Sequence, residues 1–328
     1  MPTILIGSRS FGQFVSIGRD LLLHAGFHLR WVRPEERPLD VNKLKALVRE
    51  EAPVAIITGT EPLTREVLAV ARGLRLVVKH GVGIDNIDLE AATSLGILVA
   101  NAPNTNTEAV AELTIGMMLS LLRGLCRSAN SARAGGWEPI VGHELGRMIV
   151  GVVGTGRIGS QVIRYLHSFG STIIAYDVVK NEELVSRYGV RYVSLEELLA
   201  SADIVTLHVP LTEKTRRMIG ARELALMKKT AFLINTARGE LVDEEALYNY
   251  LSEGRIAGAG LDVFSTEPPK GNPLLKLPNV LATTHIGGYT YEAMERMDRT
   301  VAETIIAVLL VGQQPANILN PAAFDVQR

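Results

Sequence analysis

The sequence predicts an α/β fold made of two doubly wound parallel-sheet domains. Short apolar runs alternate with helical patterns along the N-terminal third, and a second series of the same kind begins near residue 148. Strands that alternate with helices pair in parallel and are covered on both faces, so each series corresponds to one open sheet. A chain of 328 residues is long enough for two such domains.

The first series predicts five strands and four helices. The strands lie at residues 3–7, 28–32, 54–58, 74–79 and 97–100, and the helices between them at residues 15–25, 41–50, 64–71 and 89–95. A polar stretch with a proline follows at residues 101–107, which suits a crossover between domains. We therefore assign residues 1–100 to the first domain and 101–287 to the second.

The second domain begins with a helix over residues 108–125 that is apolar around much of its circumference. Such a helix must be buried, either in its own domain or against a second subunit. Ser194 opens a capping box, and Asp243 is the expected N-cap of a helix closed by Gly254. Six apolar runs predict strands at residues 148–153, 171–177, 203–209, 231–236, 258–263 and 280–284. A last helix over 291–310 packs back on the first domain, so 288–328 complete that domain.

The composition excludes several classes of function. The formal net charge is −1, with no basic surplus for nucleic acid. No run reaches the roughly 18 apolar residues of a membrane span, and the apolar start is too short for a signal peptide. The single cysteine, Cys126, permits no internal disulfide. We expect a cytoplasmic protein that binds neither nucleic acid nor membrane.

A glycine motif predicts the cofactor. Gly154, Gly156 and Gly159 match G-x-G-x-x-G, directly after a predicted strand and at the start of a helix that includes Arg157 and Ile158. The first glycine allows the tight turn, the second lets the backbone approach a pyrophosphate, and the third lets helix pack on strand. The free N–H groups of the helix start face the phosphates. The motif therefore indicates a Rossmann dinucleotide-binding domain rather than a turn without a ligand.

The end of the next strand favours NAD over NADP. Asp177 stands where a carboxylate accepts both ribose hydroxyls and repels a 2′-phosphate. Lys180 offsets part of that repulsion, so strict and mixed use both stay open. His208, followed by Val209 and Pro210, ends another strand and suits the floor of the adenine pocket.

Three polar residues follow three strands and predict the chemistry. Arg238, Glu267 and His285 come after the runs at 231–236, 258–263 and 280–284, and parallel strands bring their carboxyl ends to one edge. Arginine grips a carboxylate, histidine moves a proton, and a neighbouring glutamate favours the imidazolium. Each alone also fits a structural or surface role, but the combination beside a dinucleotide motif predicts catalysis. No cluster has metal-ligand spacing, so we predict no metal.

Together these residues resemble the D-isomer-specific 2-hydroxyacid dehydrogenase family over nearly the whole chain. The matching segments are GVGIDNID (81–88), NAPN (101–104), TEAVAE (107–112), VGTGRIG (153–159), HVPLT (208–212), NTARGE (235–240), LDVFSTEP (261–268) and THIGG (284–288). The segment SRSFG (8–12) is similar to phosphoglycerate-dehydrogenase-like members. The resemblance implies a flavodoxin-like substrate domain and a homodimer, which we place at the helix over 108–125.

The resemblance also implies roles for single residues. Arg238 orients the substrate, His285 is the acid/base and Glu267 its partner, while Val82 and Gly83 offer backbone to the substrate carboxylate. Asp262 contacts the nicotinamide amide, and the predicted cofactor set further includes Thr236, Ala237 and Gly287.

Three cationic candidates in the first domain predict the substrate class. Arg9, Lys79 and His80 lie where strands end or loops begin, and a substrate with an apolar tail would only desolvate them. We therefore expect a small D-2-hydroxy acid with a second anionic group, such as 3-phosphoglycerate. Two alternatives stay open: a non-catalytic NAD sensor or corepressor on the same fold, and a sibling formate or phosphite dehydrogenase.

Overall fold

The computed structural model describes residues 1–326 and divides the chain into two compact units. The first unit consists of Met1–Asn106 with the segment from Gly288 onward, and the second of Thr107–Gly287. The first unit thus extends beyond the expected end at residue 100. Hydrogen bonds explain the difference, because Ala102 N donates to Gly81 O and the Asn101 side chain donates to Val82 O within that unit.

The first unit contains a five-stranded parallel sheet. Its strands are β1 (Thr3–Ile6), β2 (His28–Trp31), β3 (Ala55–Thr58), β4 (Leu76–Lys79) and β5 (Leu98–Ala100), with helices α1 (Ile17–His24), α2 (Val41–Glu51), α3 (Arg65–Ala69) and α4 (Leu89–Ser94) between them. The order β2-β1-β3-β4-β5 is the flavodoxin-like order. Successive side chains point to opposite faces, so Ile4 and Ile6 join one core and Leu5 the other.

The second unit begins with a helix that matches the prediction over 108–125 to within two residues, and a second, unpredicted helix follows at an angle to it. Helix α5 (Thr107–Arg123) ends at Gly124, which has φ +58°, and α6 (Leu125–Arg133) continues at a bend of 64°. Met117, Met118 and Leu122 of α5 are buried in a core cluster of the same unit. No single described helix is long and apolar enough to cross a membrane, although α5 and α6 taken together pass by length and composition.

A seven-stranded parallel sheet forms the rest of the second unit. Its strands are β6 (Ile149–Val153), β7 (Thr172–Tyr176), β8 (Arg191–Tyr192), β9 (Ile204–Leu207), β10 (Phe232–Asn235), β11 (Gly258–Leu261) and β12 (Val280–Ala282). The helices are α7 (Arg157–Phe169), α8 (Glu182–Tyr188), α9 (Leu195–Ser201), α10 (Ala221–Leu226) and α11 (Glu244–Ser252). The order β12-β11-β10-β9-β6-β7-β8 reverses between β9 and β6, as in Rossmann domains. The structure confirms the predicted fold class.

The predicted caps of two helices in the second unit are found at Ser194 and Asp243. The Ser194 side chain accepts a hydrogen bond from Glu197 N at the start of α9, and the Asp243 side chain accepts one from Ala246 N at the start of α11. Only this half of the capping box predicted at Ser194 is seen, because the Glu197 carboxylate accepts a hydrogen bond from Arg191 Nη1 at 2.6 Å. Gly254 follows α11 with φ +63°.

The chain returns to the first unit through α12 (Tyr291–Ile306), one wider π-helical turn (Ala307–Val311) and α13 (Ala323–Val326). Met297, Val301 and Ile305 of α12 are buried in the first unit's core. Helix α1 packs so closely on α12 that a Cβ at Gly18 would lie 2.5 Å from Asp298 O, so only glycine fits there.

Candidate active site

The glycine turn between β6 and α7 lacks a side chain at three positions, Gly154, Gly156 and Gly159. Gly154 has φ +92°, and a Cβ there would lie 2.6 Å from His208 O. A Cβ at Gly159 would lie 1.9 Å from Gly154 O, whereas one at Gly156 would meet nothing within 4 Å. Gly156 is the N-cap of α7, and no side chain among the described residues caps this helix start. The turn therefore fits the pyrophosphate of a dinucleotide, with helix N–H groups as donors.

Asp177 directly follows β7, the neighbour of β6. Its Oδ2 accepts hydrogen bonds from Thr155 N at 2.6 Å and Thr155 Oγ1 at 3.1 Å, and its Oδ1 accepts one from Val179 N at 3.2 Å. Burial raises the pKa of this carboxyl, but the hydrogen bonds outweigh burial and hold the pKa below its usual value. The group is therefore ionised at neutral pH, as the predicted ribose acceptor requires.

His208 follows β9, the other neighbour of β6. Its Nε2 shares a hydrogen bond with Thr206 Oγ1 at 2.9 Å, and burial lowers the pKa of His208 to about 3. The ring is therefore neutral at physiological pH, which suits the predicted uncharged adenine. Val209 beside it is half-buried and Pro210 is exposed.

Glu267 and His285 form the central pair of the site. His285 Nδ1 lies 2.7 Å from Glu267 Oε2, and Glu267 Oε1 accepts a hydrogen bond from Phe264 N at 3.1 Å. The residues follow the neighbouring strands β11 and β12, while Arg238 follows β10, the next strand in the sheet. The structure thus places all three predicted residues after adjacent strands, and it joins two of them directly.

The charge state of Glu267 is set by its neighbours. Burial raises the pKa of its carboxyl, but the hydrogen bond and charge of His285, the Phe264 N–H and the charge of Arg238 together hold it below the usual value. An ionised carboxylate accepts from the His285 Nδ1–H and leaves Nε2 as the nitrogen that gains or loses a proton. The His285 side chain is 42% exposed, so Nε2 is accessible to a small molecule.

Asp262 clamps the turn that carries His285. Its Oδ1 accepts hydrogen bonds from Ile286 N at 2.8 Å and Thr283 Oγ1 at 2.5 Å, and its Oδ2 accepts one from Gly287 N at 2.8 Å. His285 itself has φ +57°, a conformation that is costly for a residue other than glycine. The sequence reasoning missed this clamp. The predicted contact of Asp262 with the nicotinamide amide stays a prediction.

A buried asparagine shapes the turn that carries Arg238, and the sequence reasoning also missed it. Asn235 Nδ2 donates to Arg238 O at 2.8 Å, and Asn235 Oδ1 accepts from Ala237 N at 3.1 Å. Arg238 Nη1 donates to Ala237 O at 2.7 Å. Thr236, a predicted cofactor contact, shares a hydrogen bond with Thr114 of α5. A lone asparagine at the end of an apolar strand was the signal available in the sequence.

Two first-unit candidates are placed differently from the prediction. Lys79 is 8% exposed and donates to Gly59 O and to Asn86 Oδ1. The His80 and Asp298 side chains are fully buried, with His80 Nε2 2.7 Å from Asp298 Oδ1, and His80 Nδ1 lies 2.9 Å from Ser10 Oγ. The expectation that Lys79 and His80 bind an anionic substrate group is therefore corrected, because both side chains are enclosed by polar partners of their own unit.

The other first-unit candidates are accessible. Arg9 is exposed just after β1, while Val82 and Gly83 are half-buried in the loop after β4. Asn101 Nδ2 donates to Val82 O at 2.7 Å and fixes this loop. Their predicted contacts with substrate stay predictions.

Known proteins are similar to this chain over most of its length. It is 46% identical over 274 residues to D-3-phosphoglycerate dehydrogenase of Methanocaldococcus jannaschii, covering 83% of this chain and 52% of that protein. The chain thus spans about half the length of that relative. It is also 42% identical to glyoxylate reductase of Korarchaeum cryptofilum, covering 82% of each chain.

A solved structure with a bound cofactor has the same fold. D-lactate dehydrogenase from Aquifex aeolicus, in complex with NAD and lactic acid, has a TM-score of 0.84 at 32% identity, covering 97% of this chain and 99% of that one. Residues 115–287 match the NAD-binding domain of the D-isomer-specific 2-hydroxyacid dehydrogenases. NAD(H) is accordingly the cofactor, and this chain belongs to the D-isomer-specific 2-hydroxyacid dehydrogenase family of NAD-dependent oxidoreductases.

Proposed function

We propose that this protein interconverts a small D-2-hydroxy acid and its 2-keto acid, with Arg238, Glu267 and His285 as its catalytic residues. The observation that carries the proposal is the 2.7 Å Glu267–His285 pair, in the same unit as the nucleotide turn. A histidine oriented by a carboxylate is a general acid and base, and the neighbouring arginine supplies the fork for a carboxylate.

The residues divide the work of the reaction. The Arg238 guanidinium holds the substrate carboxylate in two parallel hydrogen bonds and orients the keto group. The glycine turn and Asp177 would hold NAD(H), which would supply the hydride for C2 of the keto acid and take it up from the hydroxy acid. His285 Nε2 donates a proton to the substrate oxygen in reduction and removes it in oxidation. Glu267 remains ionised, stabilises the imidazolium and keeps the ring oriented.

For the substrate class, we propose a second anionic group that Arg9 binds. Arg9 is exposed and follows β1, where the strand order of its sheet reverses between β1 and β3. Ligands of open α/β sheets bind at such switch points. The 46% identity to a D-3-phosphoglycerate dehydrogenase supports the same class. With Lys79 and His80 buried, Arg9 is the candidate that we retain.

A keto-acid panel tests the proposal. We expect NADH-dependent reduction of 3-phosphohydroxypyruvate and sulfopyruvate with a higher kcat/KM than pyruvate or glyoxylate, and a preference that weakens at higher salt. Arg9→Ala should lower the ratio of kcat/KM for 3-phosphohydroxypyruvate to kcat/KM for pyruvate about tenfold, which is the value of one charge-assisted hydrogen bond. The change should come mainly from a higher KM for 3-phosphohydroxypyruvate. Arg49→Ala, which removes an exposed arginine of α2 in the same unit, is the matched control.

Other outcomes identify the alternatives. A higher kcat/KM for pyruvate or glyoxylate would contradict the second anionic group but leave the reaction class intact. NADH binding without turnover of any 2-keto acid would indicate a sensor, and turnover of formate or phosphite alone would indicate the sibling reaction.

A further inference from the structure

A chain of hydrogen bonds runs from β8 to the Asp177 carboxylate, the predicted acceptor for the ribose hydroxyls. Tyr192 OH donates to Thr155 Oγ1 at 2.9 Å, and Thr155 Oγ1 donates to Asp177 Oδ2 at 3.1 Å. The other end is anchored by the backbone, because Asn181 N donates to Tyr192 OH at 3.0 Å. Each hydroxyl therefore accepts one hydrogen bond and donates one, all in the same direction.

The direction of the chain follows from the donors available. An ionised carboxylate only accepts, and a backbone N–H only donates, so the two ends fix every hydroxyl proton between them. Tyr192 is half-buried and its ring packs against a core cluster of the second unit, which holds its hydroxyl in place. Thr155 is 5% exposed, so water has little access to replace a missing partner.

We propose that Tyr192 is a positioning residue that acts through Thr155 on Asp177 and thereby sets the preference for NAD over NADP. The proposal rests on the assignment of Asp177 as the acceptor for the ribose hydroxyls. It names a residue outside the glycine motif, 15 positions beyond the carboxylate that it positions.

The geometry explains how a distant hydroxyl affects ribose recognition. Asp177 Oδ2 is held by two donors from Thr155, and Oδ1 accepts a hydrogen bond from Val179 N, while the Val178 N–H also lowers the pKa of the carboxyl. The hydrogen bonds from Thr155 and Val179 occupy three of the about four acceptor positions of a carboxylate, so a position for a ribose hydroxyl remains. Without the Tyr192 hydroxyl, the Thr155 hydroxyl is free to rotate, so that it holds the Asp177 carboxylate less firmly. It then accepts ribose hydroxyls less well and repels a 2′-phosphate less strongly.

Direct titration of NADH and NADPH by fluorescence tests the proposal without any need for turnover. Tyr192→Phe should raise the Kd for NADH about fivefold, the value of one neutral hydrogen bond, and should raise the Kd for NADPH less. The Kd for NADPH divided by the Kd for NADH should therefore fall. Tyr188→Phe is the matched control, because its ring packs in the same cluster and its hydroxyl has no hydrogen bond among residues 1–326.

A double-variant cycle separates action through Thr155 from a direct effect. Thr155→Val should reproduce the Tyr192→Phe result, Thr155→Ser should restore tight binding, and Tyr192→Phe added to Thr155→Val should change nothing further. An unchanged ratio in Tyr192→Phe, or additive effects in the double variant, would overturn the proposal. If Asp177→Ala leaves the Kd for NADH unchanged, the ribose assignment itself is wrong, whereas failure of the catalytic proposal would leave these titrations intact.

Discussion

At the scale of single residues, His285 combines an exposed ring with a constrained backbone. A left-handed conformation costs about 1–3 kcal/mol for a residue such as histidine and persists only where neighbours fix it. The three hydrogen bonds from Thr283, Ile286 and Gly287 to Asp262 fix it here. The ring is thereby held at Glu267 without being buried, so that it remains accessible to a substrate.

The Glu267 carboxylate gives a prediction for pH dependence. Glu267→Gln retains a hydrogen-bond acceptor for His285 but removes the negative charge that favours the imidazolium. The pH–rate profile for keto-acid reduction should therefore move to lower pH, while the profile for oxidation of the hydroxy acid should extend to lower pH. Steady-state kcat/KM from about pH 5 to pH 9 measures the shift, over the range in which histidine titrates. Superimposable profiles of variant and wild type would show that Glu267 does not act through charge.

The sequence predicted the residues after strand ends better than the residues that hold them. Arg238, Glu267 and His285 follow from the parallel-sheet pattern, because such sheets gather polar side chains at one edge. The clamp by Asp262 depends on a turn conformation that no periodicity encodes. His80 was misjudged for a related reason, since its partner Asp298 lies 218 residues further along the chain.

At the scale of secondary-structure elements, the helix predicted over 108–125 is present as α5 to within two residues, and the left-handed backbone of Gly124 ends it. The short helix α6 that follows was not predicted. The apolar side chains of α5 are largely buried in its own unit, whereas Leu125 is 50% exposed, Trp137 91% and Val141 96%. We therefore propose that the homodimer expected from the sequence resemblance forms through residues 125–141 rather than through the helix over 108–125.

Surface variants test this proposal for the dimer. Leu125→Asp combined with Trp137→Asp should shift the protein from dimer to monomer in sedimentation, because two charges would be buried without partners. Leu23→Asp alters a leucine of α1 that is equally exposed, at 50%, and should leave the oligomeric state unchanged. A stable dimer in the double variant, or a monomeric wild type, would refute the proposed interface.

At the scale of the whole molecule, the sequence predicts the positions of the strands with one exception, β8. The apolar runs locate eleven of the twelve strands found in residues 1–326, whereas β8 has two residues and offers no pattern to detect. Strand β8 nevertheless carries Tyr192, which contacts Thr155 of the glycine turn. The strand orders of the two sheets are the flavodoxin-like and Rossmann orders that the family resemblance implied, and composition alone does not predict them.

The lowered pKa of His208 makes the stability of the fold depend on pH. The folded value is about 3 and lies below the value of about 6.5 in an unfolded chain, so the unfolded state binds the extra proton between these limits. The free energy of unfolding therefore falls as pH decreases through this window, by at most about 1.4 kcal/mol per pH unit. Urea denaturation at several pH values gives the slope of the unfolding free energy against pH, and this slope should be shallower in His208→Asn than in wild type. His28→Asn, at an exposed histidine, should keep the wild-type slope. A wild-type slope in His208→Asn would contradict this account.

The central claim is that His285 moves the proton that accompanies hydride transfer, and one paired measurement tests it most directly. The kcat for NADH-dependent reduction of a 2-keto acid should fall about 10²–10⁴-fold in His285→Ala, the usual value of a lost general acid. The Kd for NADH, titrated on the same preparations, should stay at the wild-type value, as should both constants in His167→Ala, which alters an exposed histidine of the same unit. Wild-type turnover in His285→Ala, or a loss of NADH binding that accounts for the loss of rate, would contradict the account.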